Sequence, residues 1–216
     1  MSFGIETQRS VERGTPESVA EATSLHALLR ALKLHDPYTA GHSGRVASYA
    51  GVVASVLGLS RRQTEIVRRA GLAHDVGKLA VPHYILAKNV RLASVEFDQI
   101  RSHPAFGGRL VERIPSTRDL AKIVRHHHEH WDGRGYPDGL SGSAIPLESR
   151  LILVVDAFDA MTTARPYDPM ISAGAAMKEI VHCSGQQFDP LVVEAMQHAF
   201  DENLLRAAEL APAILM

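Results

Sequence analysis

Apolar residues recur along the chain at the three- and four-residue spacing of amphipathic helices. Leu25, Leu28, Leu29 and Leu32 form the first such stripe, which predicts a helix from Pro16 to about Leu34. The run from 151 to 155 would suit a strand in isolation, but it lies inside a longer helical pattern. Further helices are predicted at about 41–57, from 61 to the residues before 75, from 94 to 102, and at 105–113, 117–130, 147–163, 173–182 and 190–206.

Several boundaries of these helices carry recognisable capping residues. Ser60 and Gln63 have the spacing of a capping box. Pro104 disfavours a helical conformation at His103 and predicts a break there. Asp189 followed by Pro190 suits the start of the last helix. The longest loop is predicted at 131–146, where glycines and prolines are concentrated.

The predicted fold class is therefore all-α, a multi-helix bundle with one glycine-rich loop. The chain has 216 residues, of which 45% are hydrophobic, so it can bury a sizeable core. We expect one main domain at 16–210, preceded by a flexible lead or linker at 1–15. The formal net charge is -1, which gives no overall basic field for a nucleic acid polymer.

Cysteine content and hydropathy exclude two further classes. The single cysteine, Cys183, cannot form a disulfide framework or a multi-thiolate metal site. No apolar run is long enough to cross a bilayer, and Met1–Thr15 lacks the apolar segment of a secretory signal. We therefore expect a cytoplasmic protein without a membrane partner.

The twelve histidines are unevenly distributed, and several stand beside acidic residues. The relevant positions come from five separate predicted helices or helix ends, and a helical bundle can project such side chains into one core site. Five imidazoles and two carboxylates exceed what one tetrahedral ion needs. They suit two ions about 3.5–4 Å apart, bridged by a carboxylate. These residues are His42, His74, Asp75, His103, His127, His128 and Asp156.

Lys78 follows His74 by four residues and Asp75 by three, so on a helix it shares their face. A lysine beside a metal site is well placed to contact phosphate. A lysine reaching solvent from the C-terminal end of a helix has the same spacing, because cations are favoured there. Spacing alone leaves both interpretations open.

The loop after the histidine doublet contains four glycines within ten residues, at 133, 135, 139 and 142. Such a segment makes a poor hydrophobic core and is typical of a loop that binds a ligand or a partner. The alternative, a simple connection between helices, is disfavoured by its length.

Two sequence signatures resemble those of the HD-GYP family within the HD superfamily of metal-dependent phosphohydrolases. The first is LAHDVGK at 72–78, and the second is HHEHWDGRGYP at 127–137. The resemblance covers about 25–200. It extends to Lys88, Glu96, HP at 103–104, Gly107, IP at 145–146, Arg150, DAFDAM at 156–161 and RPY at 165–167.

The resemblance implies that the same seven residues are the metal ligands, with Asp75 as the bridge. One ion would take His42, His74 and Asp156. The second ion would take the remaining three histidines, which are His103, His127 and His128. Iron or manganese is expected for the two divalent ions, with zinc left open, because histidine and carboxylate without thiolate suit these metals.

The resemblance also implies a catalytic role for Asp75 and Lys78, and substrate binding by Lys78 and Arg165. It implies a partner-binding loop that could contact GGDEF-domain cyclases; a homodimer is left open. Some members have a glutamate where this chain has Tyr38, which favours two metals over three. Asp168 stands where a basic residue often binds phosphate. The loop residues are Asp132, Gly133, Gly135, Tyr136 and Pro137.

The expected function is hydrolysis of cyclic di-GMP to linear pGpG, with further cleavage to GMP left open. One alternative keeps the enzyme class and changes the substrate to another cyclic dinucleotide or a nucleotide monoester. A second alternative is a catalytically weak module that senses cyclic di-GMP or docks a GGDEF-type partner. For Tyr136, whose ring could reach the surface, docking is the favoured interpretation.

Overall fold

The computed structural model describes residues 16–88, 90, 92–163 and 170–206, and its fold over these residues is all-α, as predicted. The predicted lead at 1–15 and the end of the predicted domain at 207–210 lie outside them. The α-helices are α1 Pro16–His35, α2 Pro37–Val56, α3 Arg61–Ala73, α4 His83–Leu86, α5 Ser94–Arg101, α6 His103–Glu112, α7 Ala121–Arg125, α8 Leu147–Thr162, α9 Ala173–His182 and α10 Pro190–Asp201. Short 3-10 helices cover Val76–Ala80, Pro115–Leu120 and Gly142–Ala144.

Helices α2 and α8 form the centre of the bundle. Helix α2 packs against α3, α8 and α10, and α8 also packs against α9. The segment 151–155, which is apolar throughout, is fully or almost fully buried within α8. A helical segment that is apolar on all sides suits a central position, so tertiary packing overrides the strand preference of these five residues.

The capping residues identified in the sequence mark the observed boundaries. The Ser60 hydroxyl accepts a hydrogen bond from the backbone N–H of Gln63, whose side chain accepts the N–H of Ser60 in return. The Asp189 carboxylate accepts the N–H of Leu191 at the start of α10. Two helices are present where a break was predicted, but the break lies at Ser102, because α5 ends at Arg101 and α6 begins at His103. The prediction that Pro104 excludes His103 from the helix was wrong, since Pro104 lies in the first turn of α6.

The prediction of one helix over 117–130 was wrong. The segment contains a 3-10 helix that ends at Leu120, then α7, which ends at Arg125. Residues 126–128 form a turn. Adjacent side chains on an α-helix do not face the same side, so a continuous helix could not direct both His127 and His128 toward one point.

Three other boundaries differ from the sequence prediction. Helix α2 begins at Pro37, four residues before the predicted start. Lys78 lies in a 3-10 helix rather than in a continuation of α3. Helix α10 ends at Asp201, and Asn203 has a φ of 57°, in the left-handed region that interrupts a helix.

Within the described part of the chain, no helix combines the length and the apolar character needed to cross a membrane.

Candidate metal centre

The seven predicted ligands converge in the centre of the bundle although they come from separate segments. His42 lies on α2, His103 begins α6, and Asp156 lies on α8. The pair at 74–75 joins α3 to the first 3-10 helix, and the pair at 127–128 follows α7. The residues form two groups of potential donors, His42 with His74 and Asp75, and His103 with His127 and His128.

Asp75 lies between the two groups and directs one carboxylate oxygen toward each. Its Oδ2 is 3.4 Å from Nε2 of His74 and 3.9 Å from Nε2 of His42. Its Oδ1 is 3.3 Å from Nε2 of His103. This orientation is the one that a bridging carboxylate requires.

Asp156 completes the first group. Its Oδ1 is 3.0 Å from Nε2 of His42 and 4.0 Å from Nε2 of His74. The structure thus brings Asp156 beside the two histidines with which the resemblance groups it.

Backbone carbonyls orient three of the histidine rings. Nδ1 of His74 lies 2.7 Å from the carbonyl oxygen of Gly71, three residues earlier. Nδ1 of His103 and of His127 have the same relation to carbonyls three residues earlier, at 2.6 and 2.7 Å. A carbonyl only accepts, so each Nδ1 carries the proton and each Nε2 presents a lone pair to the cluster.

The ring of His42 is oriented by a buried carboxylate instead. Its Nδ1 donates to Oδ2 of Asp159 at 2.7 Å, and Asp159 also accepts two hydrogen bonds from the Arg45 guanidinium. A carboxylate that orients a ligating imidazole is a recurrent arrangement at metal sites. No role was predicted for Asp159, although it lies one helical turn after Asp156 and on the same face of α8.

Burial and neighbouring charges shift the pKa values of the clustered residues in different directions. Burial lowers the pKa of His103 to about 4, and burial together with His103 lowers the pKa of His128 to about 3. Burial would also lower the pKa of His42, but hydrogen bonds to Asp156 and Asp159 outweigh it and raise that pKa to about 9. Burial raises the pKa of Asp75, but the charge of Lys78 outweighs it and helps to hold the pKa of that carboxyl well below its usual range.

The donor arrangement fits a bound cation. Nε2 of His103 and Nε2 of His127 are 3.3 Å apart, and their lone pairs face each other because both Nδ1 atoms carry protons. Nε2 of His74 is buried without a hydrogen-bond partner among the described residues. Ligands about 2.0–2.1 Å from one ion are roughly 3–3.4 Å apart. A cation held by His103 and His127 would therefore remove the repulsion between them, and a cation held by His74 in the other group would satisfy its Nε2.

Lys78 is directed toward the cluster rather than toward solvent. Its Nζ is 2.6 Å from Oδ2 of Asp75, and its side chain is 22% exposed. In a 3-10 helix, residues three apart are eclipsed, which places Lys78 directly beside Asp75. Burial would lower the pKa of Lys78, but the charge of Asp75 outweighs it, so the ammonium group stays charged.

Some residues singled out in the sequence cannot be placed in this site. Arg165 and Asp168 lie outside the described residues, as does the side chain of Tyr38. Of the predicted partner loop, Asp132 is exposed, and its backbone N–H donates to the carbonyl of Gln186. Tyr136 differs from the expectation that it reaches the surface, because its ring is half-buried and stacked on His128 with a centroid distance of 4.9 Å.

His126 and Glu129, which flank the doublet, have no direct part in the cluster. Nε2 of His126 is 3.0 Å from Asp138, which also forms two hydrogen bonds with Arg125. Glu129 is buried and accepts the backbone N–H groups of Asp138 and Leu140. No role was predicted for this glutamate, since its partners are backbone groups of the following loop.

The described residues form an all-helical fold around a buried histidine–aspartate cluster whose donors could hold metal ions. The chain belongs to the HD domain family, whose model matches residues 26–192. The resemblance stated from the two signatures is thereby confirmed.

Relatives with assigned names agree with this membership. RpfG of Xanthomonas campestris, a cyclic di-GMP phosphodiesterase response regulator, is 39% identical over 82% of this chain and 47% of its own length. The 3'3'-cGAMP-specific phosphodiesterase 3 of Vibrio cholerae is also 39% identical, over 78% of this chain and 36% of its own. A cyclic di-GMP phosphodiesterase of Thermotoga maritima is 37% identical over 74% of this chain and 44% of its own. The chain thus spans less than half the length of these relatives.

The fold has also been observed in solved structures. The crystal structure of a cyclic GMP-AMP specific phosphodiesterase of Vibrio cholerae, V-cGAP3, matches with a TM-score of 0.67 and 19% identity. The match covers 90% of this chain and 51% of that one. At this identity the likeness supports the HD-type fold alone.

Proposed function

We propose that this chain is a metal-dependent phosphodiesterase that hydrolyses a cyclic dinucleotide, with cyclic di-GMP as its substrate. The observation that carries the proposal is the position of Asp75, with one oxygen toward His42 and His74 and the other toward His103. A carboxylate between two sets of imidazoles is the arrangement expected for a two-metal hydrolase. The relatives' names supply the substrate class.

Two divalent cations held by these residues would supply the Lewis acidity for attack of water on phosphorus. The residues of the chain would hold and orient the reacting groups. Lys78 is charged and 22% exposed on its side chain, so it can donate to a substrate phosphate oxygen while it remains beside Asp75. Arg165 is proposed as the second phosphate contact from its place in the sequence. Positive groups aimed at developing negative charge typically contribute a few kcal/mol each.

The identity of the cyclic dinucleotide is the finer part of the proposal. Relatives of equal identity are named for cyclic di-GMP and for 3'3'-cGAMP. Hydrolysis would open one 3′–5′ phosphodiester to give linear pGpG, and a second cut would give GMP. We keep cyclic di-GMP as the substrate and make 3'3'-cGAMP the direct competitor in the assay.

Two ions per chain are proposed, with iron or manganese in both sites. The donor set is imidazole and carboxylate without thiolate, which suits these metals, and zinc remains the competing choice. Protein purified with and without oxygen, then reconstituted with each metal, would be examined by elemental analysis. A reproducible stoichiometry of about two after reconstitution with iron or manganese is the expected result; three ions, or none, would contradict it.

The activity is tested with the same reconstituted samples. Each would be incubated with cyclic di-GMP or with 3'3'-cGAMP, and pGpG, GMP and the mixed linear product would be separated by chromatography. We expect a higher kcat/KM for cyclic di-GMP and no turnover after chelation. A higher kcat/KM for 3'3'-cGAMP would contradict cyclic di-GMP as the proposed substrate. Absence of turnover with every metal would contradict the enzyme assignment.

The second candidate function is a catalytically weak module that senses cyclic di-GMP or docks a GGDEF-type partner. Asp168 favours it, because an acidic residue stands where a phosphate-binding basic residue is expected. Under this candidate, the metal-loaded protein would bind cyclic di-GMP in equilibrium dialysis and release it unchanged.

A further inference from the structure

His128 differs from the other proposed histidine ligands in how its ring is held. The other four rings each have an Nδ1 contact, to Asp159 or to a backbone carbonyl. For His128, no hydrogen bond to either ring nitrogen is present among the described residues. Ligating imidazoles almost always have such an outer contact, because it fixes the ring plane and the tautomer. The His128 ring instead contacts other rings, those of His103, His127 and Tyr136, and such contacts can orient it.

The ring of Tyr136 occupies the position from which it can do so. It is stacked on the His128 imidazole, with 4.9 Å between ring centroids and 29° between ring planes. The guanidinium carbon of Arg101 lies 4.7 Å from the centroid of the Tyr136 ring. His128 thus has an aromatic ring against its face where the other ligands have a hydrogen bond at their edge.

The backbone of the loop holds Tyr136 in that position. The N–H of Tyr136 donates to the carbonyl of His128 at 3.1 Å. A side chain at Gly135 would meet the same carbonyl at 2.5 Å and the Cα of Glu129 at 2.5 Å. The loop therefore lies directly on the turn that carries the histidine doublet, and only glycine permits this approach.

Glu129 anchors the far side of the same loop. Its carboxylate is buried, with 1% of the residue exposed, and each oxygen accepts one backbone N–H, from Asp138 at 2.7 Å and Leu140 at 3.1 Å. A buried carboxylate whose two oxygens are both used by one loop fixes that loop strongly, because removing either acceptor leaves a donor without a partner.

We propose that Tyr136 and Glu129 are positioning residues for His128. Glu129 fixes the loop at 132–140, the loop presses the Tyr136 ring on His128, and the stacking sets the imidazole plane for the ion that His103, His127 and His128 would share. This inference rests on the proposed two-metal site and deepens it. It replaces docking as the role of Tyr136, since the ring is engaged with a ligand rather than presented to a partner.

The test measures metal retention and does not depend on turnover. Wild type, Tyr136→Ala, Tyr136→Phe and Glu129→Gln would be loaded with Co²⁺, and the release of each ion to a chelator would be followed by visible absorption. We expect one of the two ions to bind about 10–100-fold more weakly in Tyr136→Ala, with an altered spectrum, while the other is retained. Tyr136→Phe keeps the stacking ring and should behave as wild type.

Glu129→Gln retains the size of the side chain but replaces one acceptor with an N–H donor, so it should weaken the same ion as Tyr136→Ala. Arg134→Ala is the matched control on the same loop, because that side chain is 83% exposed, and it should leave both ions unchanged. Circular dichroism would show whether each variant folds; if Glu129→Gln does not, the Tyr136→Ala and Tyr136→Phe pair decides.

Two results would overturn the inference. The first is equal retention and an unchanged spectrum in Tyr136→Ala, with or without loss of binding to a GGDEF domain. The second is wild-type protein that binds fewer than two ions, which would overturn the two-metal site as well. Wild-type protein that binds two ions but hydrolyses no cyclic dinucleotide contradicts the proposed function only, and the comparison of variants still decides the positioning role.

Discussion

Three aspartates lie near His42, and their carboxylates contact different groups. Asp75 directs its oxygens to both donor groups, Asp156 lies beside Nε2 of His42 and of His74, and Asp159 accepts from Nδ1 of His42 and from Arg45. Their surroundings therefore give the three carboxylates different proposed roles: Asp75 is the bridge, Asp156 a ligand of one ion, and Asp159 the group that orients His42. The spacing of the sequence identified the first two as donors but not the third.

Asp75→Ala should remove both ions and all hydrolysis while the helical fold remains. Each ion would lose a ligand, and the negative charge between the two cations would also be lost. Elemental analysis, the phosphodiesterase assay and circular dichroism would be made on the same preparation. His126→Ala is the control, since that ring contacts Asp138 and not the cluster. An equal loss of metal and hydrolysis in the two variants would show that His126 is a ligand and that His127 and His128 are not the correct pair.

Asp159→Asn should weaken the ion held by His42 by about 10–100-fold. The amide presents one donor where the carboxylate accepts from both His42 and Arg45, so one of these contacts becomes repulsive. Titration with Mn²⁺ followed by calorimetry would measure the affinity. Asp201→Asn, at the exposed end of α10, provides the comparison and should bind Mn²⁺ as wild type does. An affinity unchanged in Asp159→Asn would exclude an orienting role.

At the scale of single elements, close approach between the first 3-10 helix and α6 brings the two donor groups together. A side chain at Gly77 would meet the carbonyl oxygen of His103 at 1.9 Å and the N–H nitrogen of Gly107 at 2.6 Å. The glycine in the first signature therefore has a packing role. It allows the segment that carries Asp75 to lie on the segment that carries His103.

Gly77→Ala should lower the free energy of unfolding of the metal-free protein by about 1–3 kcal/mol, because backbone must move to admit the methyl group. Urea denaturation followed by circular dichroism would measure the change. Gly174→Ala on α9 is the matched substitution, since nothing lies within 4 Å of its added carbon. There, alanine should stabilise the helix by up to about 1 kcal/mol. Similar changes in the free energy of unfolding at both positions would show that the close contact of Gly77 with α6 does not exclude a side chain.

The helices were predictable where apolar periodicity and capping residues coincide, as at Ser60 and Asp189. The segment 117–130 was not, because its apolar residues have helical spacing while the doublet His127-His128 requires a turn. Periodicity reports which face is buried and contains no information on where two adjacent side chains must point. The short 3-10 helix at Val76–Ala80 was missed for the related reason that five residues give too short a pattern.

At the scale of the molecule, the cluster connects segments that are distant in the sequence. The set of donors could be anticipated from residue type and from the two signatures. Their pairing could not be derived from spacing, since it depends on which helices pack together. The role of Glu129 was also beyond sequence reasoning, because its partners are backbone groups.

Removal of metal should lower the melting temperature of the whole domain. An ion that binds only the folded state, at a hundredfold excess over its Kd, stabilises by about 2.7 kcal/mol. For a domain of this size, that corresponds to roughly 5–10 °C per ion. Thermal unfolding would be measured with Mn²⁺ and with chelator. Asp75→Ala should show the same melting temperature in both conditions, and a wild-type protein insensitive to chelator would contradict the prediction.

The separation between His42 and Asp159, which are 117 positions apart and yet joined by one hydrogen bond, also bears on the order of assembly. Closing so long a segment requires that most of the bundle already be in place, since contacts of high sequence separation form against a large loss of chain entropy. We therefore expect the donors on α2 and α8 to meet late in folding. Metal binding would then follow the formation of the helical core. The ions would stabilise a bundle that has already folded and would not nucleate its folding.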